Sequence, residues 1–196
     1  MHPDSGDVLA TVEAAYHEHF EIAPERASIS FVGVEPIEVL RYHELDGGSA
    51  ITHYITLGMS RRPMTDAAAE QVADTSGPRA ELLLSVFDRP DDVWRRLAVL
   101  AAAPSVESAV YAPGGRVELG EPWLAGSRCT GAVFDDGPLV PIALAMASAV
   151  RVLRVLPAHP AELAWARAHG SDALIARWAE ADVELRDLLR DPVDLA

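Results

Sequence analysis

The chain has 196 residues, 49% of them hydrophobic and 23% charged, which suits one globular domain able to bury its own core. Its formal net charge of −14 speaks against nucleic acid and anionic membrane as partners, since both repel an acidic surface. Cys129 is the only cysteine, which excludes an intrachain disulfide, and all 16 basic residues are Arg.

The N-terminus, Met1-His2-Pro3-Asp4, has neither the basic start nor the apolar stretch of a signal peptide. The longest apolar run, Leu139 to Val150, is too short to span a bilayer, which takes about 20 residues. The expectation is a cytoplasmic protein. Residues 5–20 read as an amphipathic helix, capped by Asp4 or Ser5, with Val8, Val12, Ala15, Tyr16 and Phe20 on one stripe. Strands are predicted at 27–32 and 37–45. Asp46-Gly47-Gly48-Ser49 is a hairpin signal. Folding the chain there sets Tyr42 opposite His53 and Leu40 opposite Ile55, in a half-buried antiparallel pair.

Residues 58–78 read as loop, with a short helical turn at 67–73. The near-continuous apolar run 79–87 predicts a central strand. Asp91 can cap a helix that Pro104 ends. Strands follow at 116–119 and 129–134, around a turn at 113–115, and Asp135-Asp136-Gly137-Pro138 is a further turn. The second half of 147–156 reads as a buried strand. His159-Pro160 opens a helix that Gly170 closes, Ser171 caps the next helix, and Leu185, Leu188 and Leu189 suggest one more turn.

Several motifs then resemble those of the Suppressor of fused (SUFU) family. Ile51 to Ser60 resembles its strand ending in a Gly-hydrophobic-Ser turn. Arg79-Ala80-Glu81-Leu82-Leu83-Leu84 is similar to its next strand, with a Glu-Leu pair. Gly114-Gly115-Arg116-Val117 resembles its Gly-rich turn and strand. Val152 to Leu156 with Pro160-Ala161-Glu162-Leu163 resembles its closing strand and helix. The collinear match runs from about residue 12 to residue 180, and is similar to the compact bacterial members.

The resemblance implies a mixed α+β (α/β) fold over a single domain, residues 1–196. Its central mixed, largely antiparallel sheet is flanked by helices. It implies a non-catalytic protein-binding module with no cofactor and no metal. The implied partner is a protein, including a toxin if the chain is an immunity protein. A regulatory scaffold or adaptor subunit is the alternative. Animal members hold a partner peptide as an added strand between two domains. Their contacting strand corresponds to about Gly115 to Leu119 here, and an acidic residue they use falls on Gly115. The second domain of that groove is absent, so the animal ligand is not expected. The candidate contact residues are Arg116, Val117, Glu118, Trp123 and Arg61. Packing inside the domain is the competing reading for Trp123, and ion pairing with carboxylates for Arg61.

A hydrolase or metal enzyme is the less favoured alternative and requires His43, His53, Asp135 and Cys129 to converge. His43 and His53 project from opposite faces of the hairpin, and His17 and His19 to different sides of their helix. No Gly-x-Ser-x-Gly elbow is present.

Overall fold

The glycine turn at 46–49 is the hinge from which the sheet grows. Gly47 and Gly48 both take positive φ, 58° and 89°, a conformation open to glycine at no steric cost. Strands β2 (Val34–Asp46) and β3 (Ser49–Leu57) close on it in the predicted register, Tyr42 against His53 and Leu40 against Ile55. The computed structural model describes residues 5–31, 34–66, 77–88, 90–145 and 147–195, so the expected turn at 67–73 and the cap at Asp4 lie outside the described residues.

Among the described residues seven strands form one sheet in the order β1-β2-β3-β4-β7-β6-β5. The remaining strands are β1 (Glu25–Phe31), β4 (Arg79–Phe87), β5 (Arg116–Glu118), β6 (Gly131–Asp136) and β7 (Val150–Ala158). Neighbours are antiparallel except β4 and β7, which run parallel at the centre. A mixed α+β architecture with a largely antiparallel sheet is therefore what the chain adopts. Among the described residues the flanking α-helices are α1 (Ser5–Phe20), α2 (Val93–Glu107), α3 (Pro160–His169) and α4 (Ser171–Glu180).

One sheet face is shared by two helical layers. Helix α1 packs Val8, Val12 and Tyr16 on Leu40, Tyr42, Ile55 and Leu83. Helices α3 and α4 pack Leu163, Ala166, Leu174 and Trp178 on Val133, Leu156 and Ala158. Helix α2 covers the other face, with Val93, Leu97 and Ala101 against Val39, Tyr54, Leu82 and Leu84. The hairpin is therefore buried on both faces rather than half-buried. Two of its inward hydroxyls are satisfied: Thr52 Oγ1 donates to the Asp88 carbonyl (2.5 Å) and the Tyr54 hydroxyl to that of Pro90 (3.0 Å).

Three local readings are corrected. Helix α2 runs through Pro104 to Glu107. Pro104 cannot donate to the Leu100 carbonyl one turn back, and the Tyr111 hydroxyl donates to that oxygen instead (3.1 Å). Ser171 is the first residue of α4, not its cap; its hydroxyl donates to the Gly114 carbonyl (2.6 Å), tying α4 to the turn before β5. Neither Asp91 nor Asp92 caps α2 through its side chain, and Asp92 holds the N-cap position. The tail after α4 forms turns, as its leucines suggested, with Leu188 buried and Leu189 exposed. Among the described residues no helix is long and apolar enough to cross a membrane.

Candidate functional site

The outer edge of β5 is the surface on which the sequence reading converges. Gly114 turns the chain into it at φ 79°, and its N–H donates to the Phe134 carbonyl (2.8 Å). The Phe134 N–H donates to the Gly115 carbonyl (2.9 Å), and the Leu119 N–H to that of Thr130 (2.8 Å). Arg116, Val117 and Glu118 lie opposite Val133, Ala132 and Gly131 of β6. In an antiparallel ladder alternate residues bond to the same neighbour. With Gly115 and Leu119 bonding inward, the main-chain groups of Arg116 and Glu118 face the open edge. β5 ends the sheet, so no strand covers that edge among the described residues.

A groove of about 380 Å³ runs beside the edge, lined by Gly114 to Glu118 and by Leu163 and Arg167 of α3. Its floor depends on Gly131, where an added Cβ would come within 2.4 Å of the Val117 carbonyl and 2.5 Å of Leu163. Glu118 ion-pairs with Arg167 across the groove, both more than half exposed, a pairing that stabilises little and exchanges readily. An Arg116 guanidinium N–H donates to the Ser171 hydroxyl (3.1 Å). Val117 is half-buried and packs against the core.

The other two candidates lie elsewhere. Trp123 is fully buried, and its indole N–H donates to the Gly131 carbonyl (2.9 Å), so it supports β6 from inside and cannot meet a partner. Arg61 follows the turn after β3, not the β5 groove. It pairs with Glu35 (3.6 Å), the carboxylate pairing weighed for it, and its carbonyl accepts from Arg79 (2.7 Å).

The four residues named for a hydrolase or metal enzyme, His43, His53, Asp135 and Cys129, do not converge. His43 bonds to Thr52 Oγ1 (3.1 Å) on the α2 face, while His53 lies on the α1 face. Asp135 pairs with Arg154 (2.5 Å). Cys129 is fully buried, and burial pushes its thiol up to about 11, far from a reactive thiolate. Among the described residues no group of three or more His, Cys, Asp or Glu is placed to hold a metal.

Two buried carboxylates give the motifs their physical meaning. Glu81 accepts from Thr56 Oγ1 (2.6 Å), the Gly58 N–H (2.8 Å), and the Ser60 N–H and hydroxyl (2.9 and 2.7 Å), so it ties the Gly-Met-Ser turn to β4. Glu162 accepts from the His159 N–H (2.8 Å), the Trp178 indole (3.1 Å), the Val193 N–H (3.0 Å) and both Arg190 guanidinium nitrogens (2.7 Å each). Burial alone would raise the Glu162 carboxyl, but these donors outweigh it and hold it below the usual carboxylate range.

Comparison with known proteins agrees with these motifs. The family described as Suppressor of fused protein (SUFU) matches residues 33–191. No curated protein sequence matches the chain. Among solved structures, a SUFU homolog from Neisseria gonorrhoeae FA 1090 superimposes with a TM-score of 0.73 at 16% identity, over 97% of this chain and 98% of that one. The structure of the Sufu-Fu complex gives a TM-score of 0.69 at 11% identity, over 97% and 92%. Drosophila Suppressor of Fused gives 0.69 at 11% identity, over 97% of this chain and 51% of its own, so this chain spans about half of it.

Proposed function

The chain belongs to the Suppressor of fused family, and from that premise we propose that it is a protein-binding module that receives an extended segment of its partner along β5. The carrying observation is the open edge itself. The outward main-chain groups of Arg116 and Glu118 offer a short ladder to an added strand, beside a groove that can take side chains. An edge of three residues resists indiscriminate pairing. Selectivity then falls to Arg116, Glu118 and Arg167 on the rim. The Sufu-Fu complex is one case in which a structural relative binds another protein.

A toxin would make the chain an immunity protein, and a regulatory protein would make it an adaptor. The net charge of −14 favours a basic partner, whose association would slow as salt screens the attraction.

The test is capture from extracts of the native host, with the tagged chain and its Glu118→Pro variant as baits. Proline removes the outward N–H of Glu118 and leaves the inward bonds of its neighbours in place. The expected result is a specific partner whose affinity falls at least about tenfold in the variant while its thermal midpoint is unchanged. Equal retention by both baits would overturn the β5 reading.

A further inference from the structure

Three side chains line up across three adjacent strands of the α1 face. His53 of β3 lies directly opposite Ser85 of β4, and its other neighbour in register is Tyr42 of β2, two residues before Glu44. His53 Nδ1 is 2.8 Å from Ser85 Oγ, and Nε2 is 3.2 Å from Glu44 Oε2. An ionised carboxylate only accepts, so Nε2 carries the hydrogen and Nδ1 presents its lone pair to the Ser85 hydroxyl, which donates. Ser85 is the one polar residue in the run Leu82 to Phe87.

All three residues line a cleft of about 540 Å³ beside the C-terminal end of α1. That volume suits a small molecule. Phe20 and Leu83 give it an apolar wall, and Arg154 adds a guanidinium. The cleft is lined from α1, β2, β3 and β4, with Asp136 to Pro138 at the end of β6 and Arg154 of β7. It includes no residue of β5, so it is separate from that edge and goes beyond the binding role proposed there.

We propose that Ser85, His53 and Glu44 form an acyl-transfer site that cleaves small acyl esters. Ser85 Oγ attacks the ester carbonyl carbon, forming a C–O bond as its proton passes to His53 Nδ1. The tetrahedral adduct collapses, the bond to the alcohol breaks, and the leaving oxygen takes the proton from His53. Water then attacks the acyl-serine and gives a proton to His53, which returns it to Ser85 Oγ as the carboxylic acid departs. Glu44 is a positioning residue that fixes the imidazole tautomer and faces the imidazolium as it forms. Burial lowers the His53 pKa more than Glu44 raises it, with smaller lowering by His19 and Arg186, so the ring is neutral and able to accept at neutral pH.

The test treats the purified chain with a fluorophosphonate probe and with p-nitrophenyl acetate. The adduct is mapped by peptide mass spectrometry on the wild-type protein, so the result does not depend on a variant folding. The expected adduct sits on Ser85. His53→Gln is expected to slow labelling at least about tenfold. Glu44→Gln, at an exposed position, is expected to slow it less. It also shifts the midpoint of the pH–rate curve downward, because it removes the anion that raises His53 while His19, Arg186 and the cleft residues Asp136 and Arg154 remain. An unlabelled Ser85 in the folded wild-type chain would overturn the proposal. So would labelling of Ser85 that neither variant slows.

Discussion

The two buried carboxylates solve one problem in different ways. Glu81 and Glu162 are both fully buried, and each stands in a Glu-Leu pair. The donors to Glu81 among the described residues are neutral, namely Thr56, Gly58 and Ser60, and they pin a turn against the neighbouring strand. Glu162 instead takes a buried arginine, and through Arg190 and Val193 it clamps the C-terminal tail onto α3. Arg190 also donates to the Pro157 carbonyl of β7 (3.1 Å) and lies over the Trp178 ring. The first carboxylate finishes a local turn. The second closes the domain. These two Glu-Leu motifs therefore hold the fold, while the proposed partner surface rests on a few rim side chains and on backbone geometry.

The difference predicts unequal responses to mutation. Glu162→Ala leaves the Arg190 guanidinium buried without its anion and is expected to cost about 3–5 kcal/mol in urea denaturation. Replacing both partners by apolar residues (Glu162→Leu with Arg190→Met) is expected to cost less than the sum of the single losses, by about 1–3 kcal/mol. Strict additivity would break the clamp description. Glu81→Gln turns one accepting oxygen into a donor facing existing donors, and should cost a smaller ~1–3 kcal/mol by the same measurement. Below these comes Trp123→Phe, which removes the indole bond to Gly131 while keeping most of the packing, at about 1 kcal/mol.

The smallest effect concerns pH. Burial lowers the pKa of both His53 and His159, so the unfolded chain, with imidazoles near about 6.5, binds more protons than the folded one. Their contribution to stability is full above about pH 6.5 and is lost as pH falls toward the folded values. The urea midpoint should therefore drop between about pH 7.5 and 5.5. A midpoint that rises on acidification would contradict these assignments.

What could be read from the sequence depended on how local the cause was. The register of β2 and β3 follows from one glycine turn, and β4 from one near-continuous apolar run, so both were legible. The end of α2 was not, because the Tyr111 hydroxyl that rescues the Leu100 carbonyl comes from beyond the helix. Ser171 has the composition of a cap, but its hydroxyl is recruited by Gly114, a contact 57 residues away in sequence. Trp123 stands in a loop whose composition does not show which way it faces. The row Glu44, His53 and Ser85 was half legible. The hairpin register gives the first two, whereas Ser85 arrives only when β4 pairs with β3 across the connection after the Gly58 turn.

In the proposed complex β5 meets the partner with its backbone. Amide hydrogen exchange, measured on the chain alone and with its captured partner, tests this most directly. Slowed exchange at the Arg116 and Glu118 amides on binding is the predicted result. Unchanged exchange there, with protection confined to other surfaces, would contradict it.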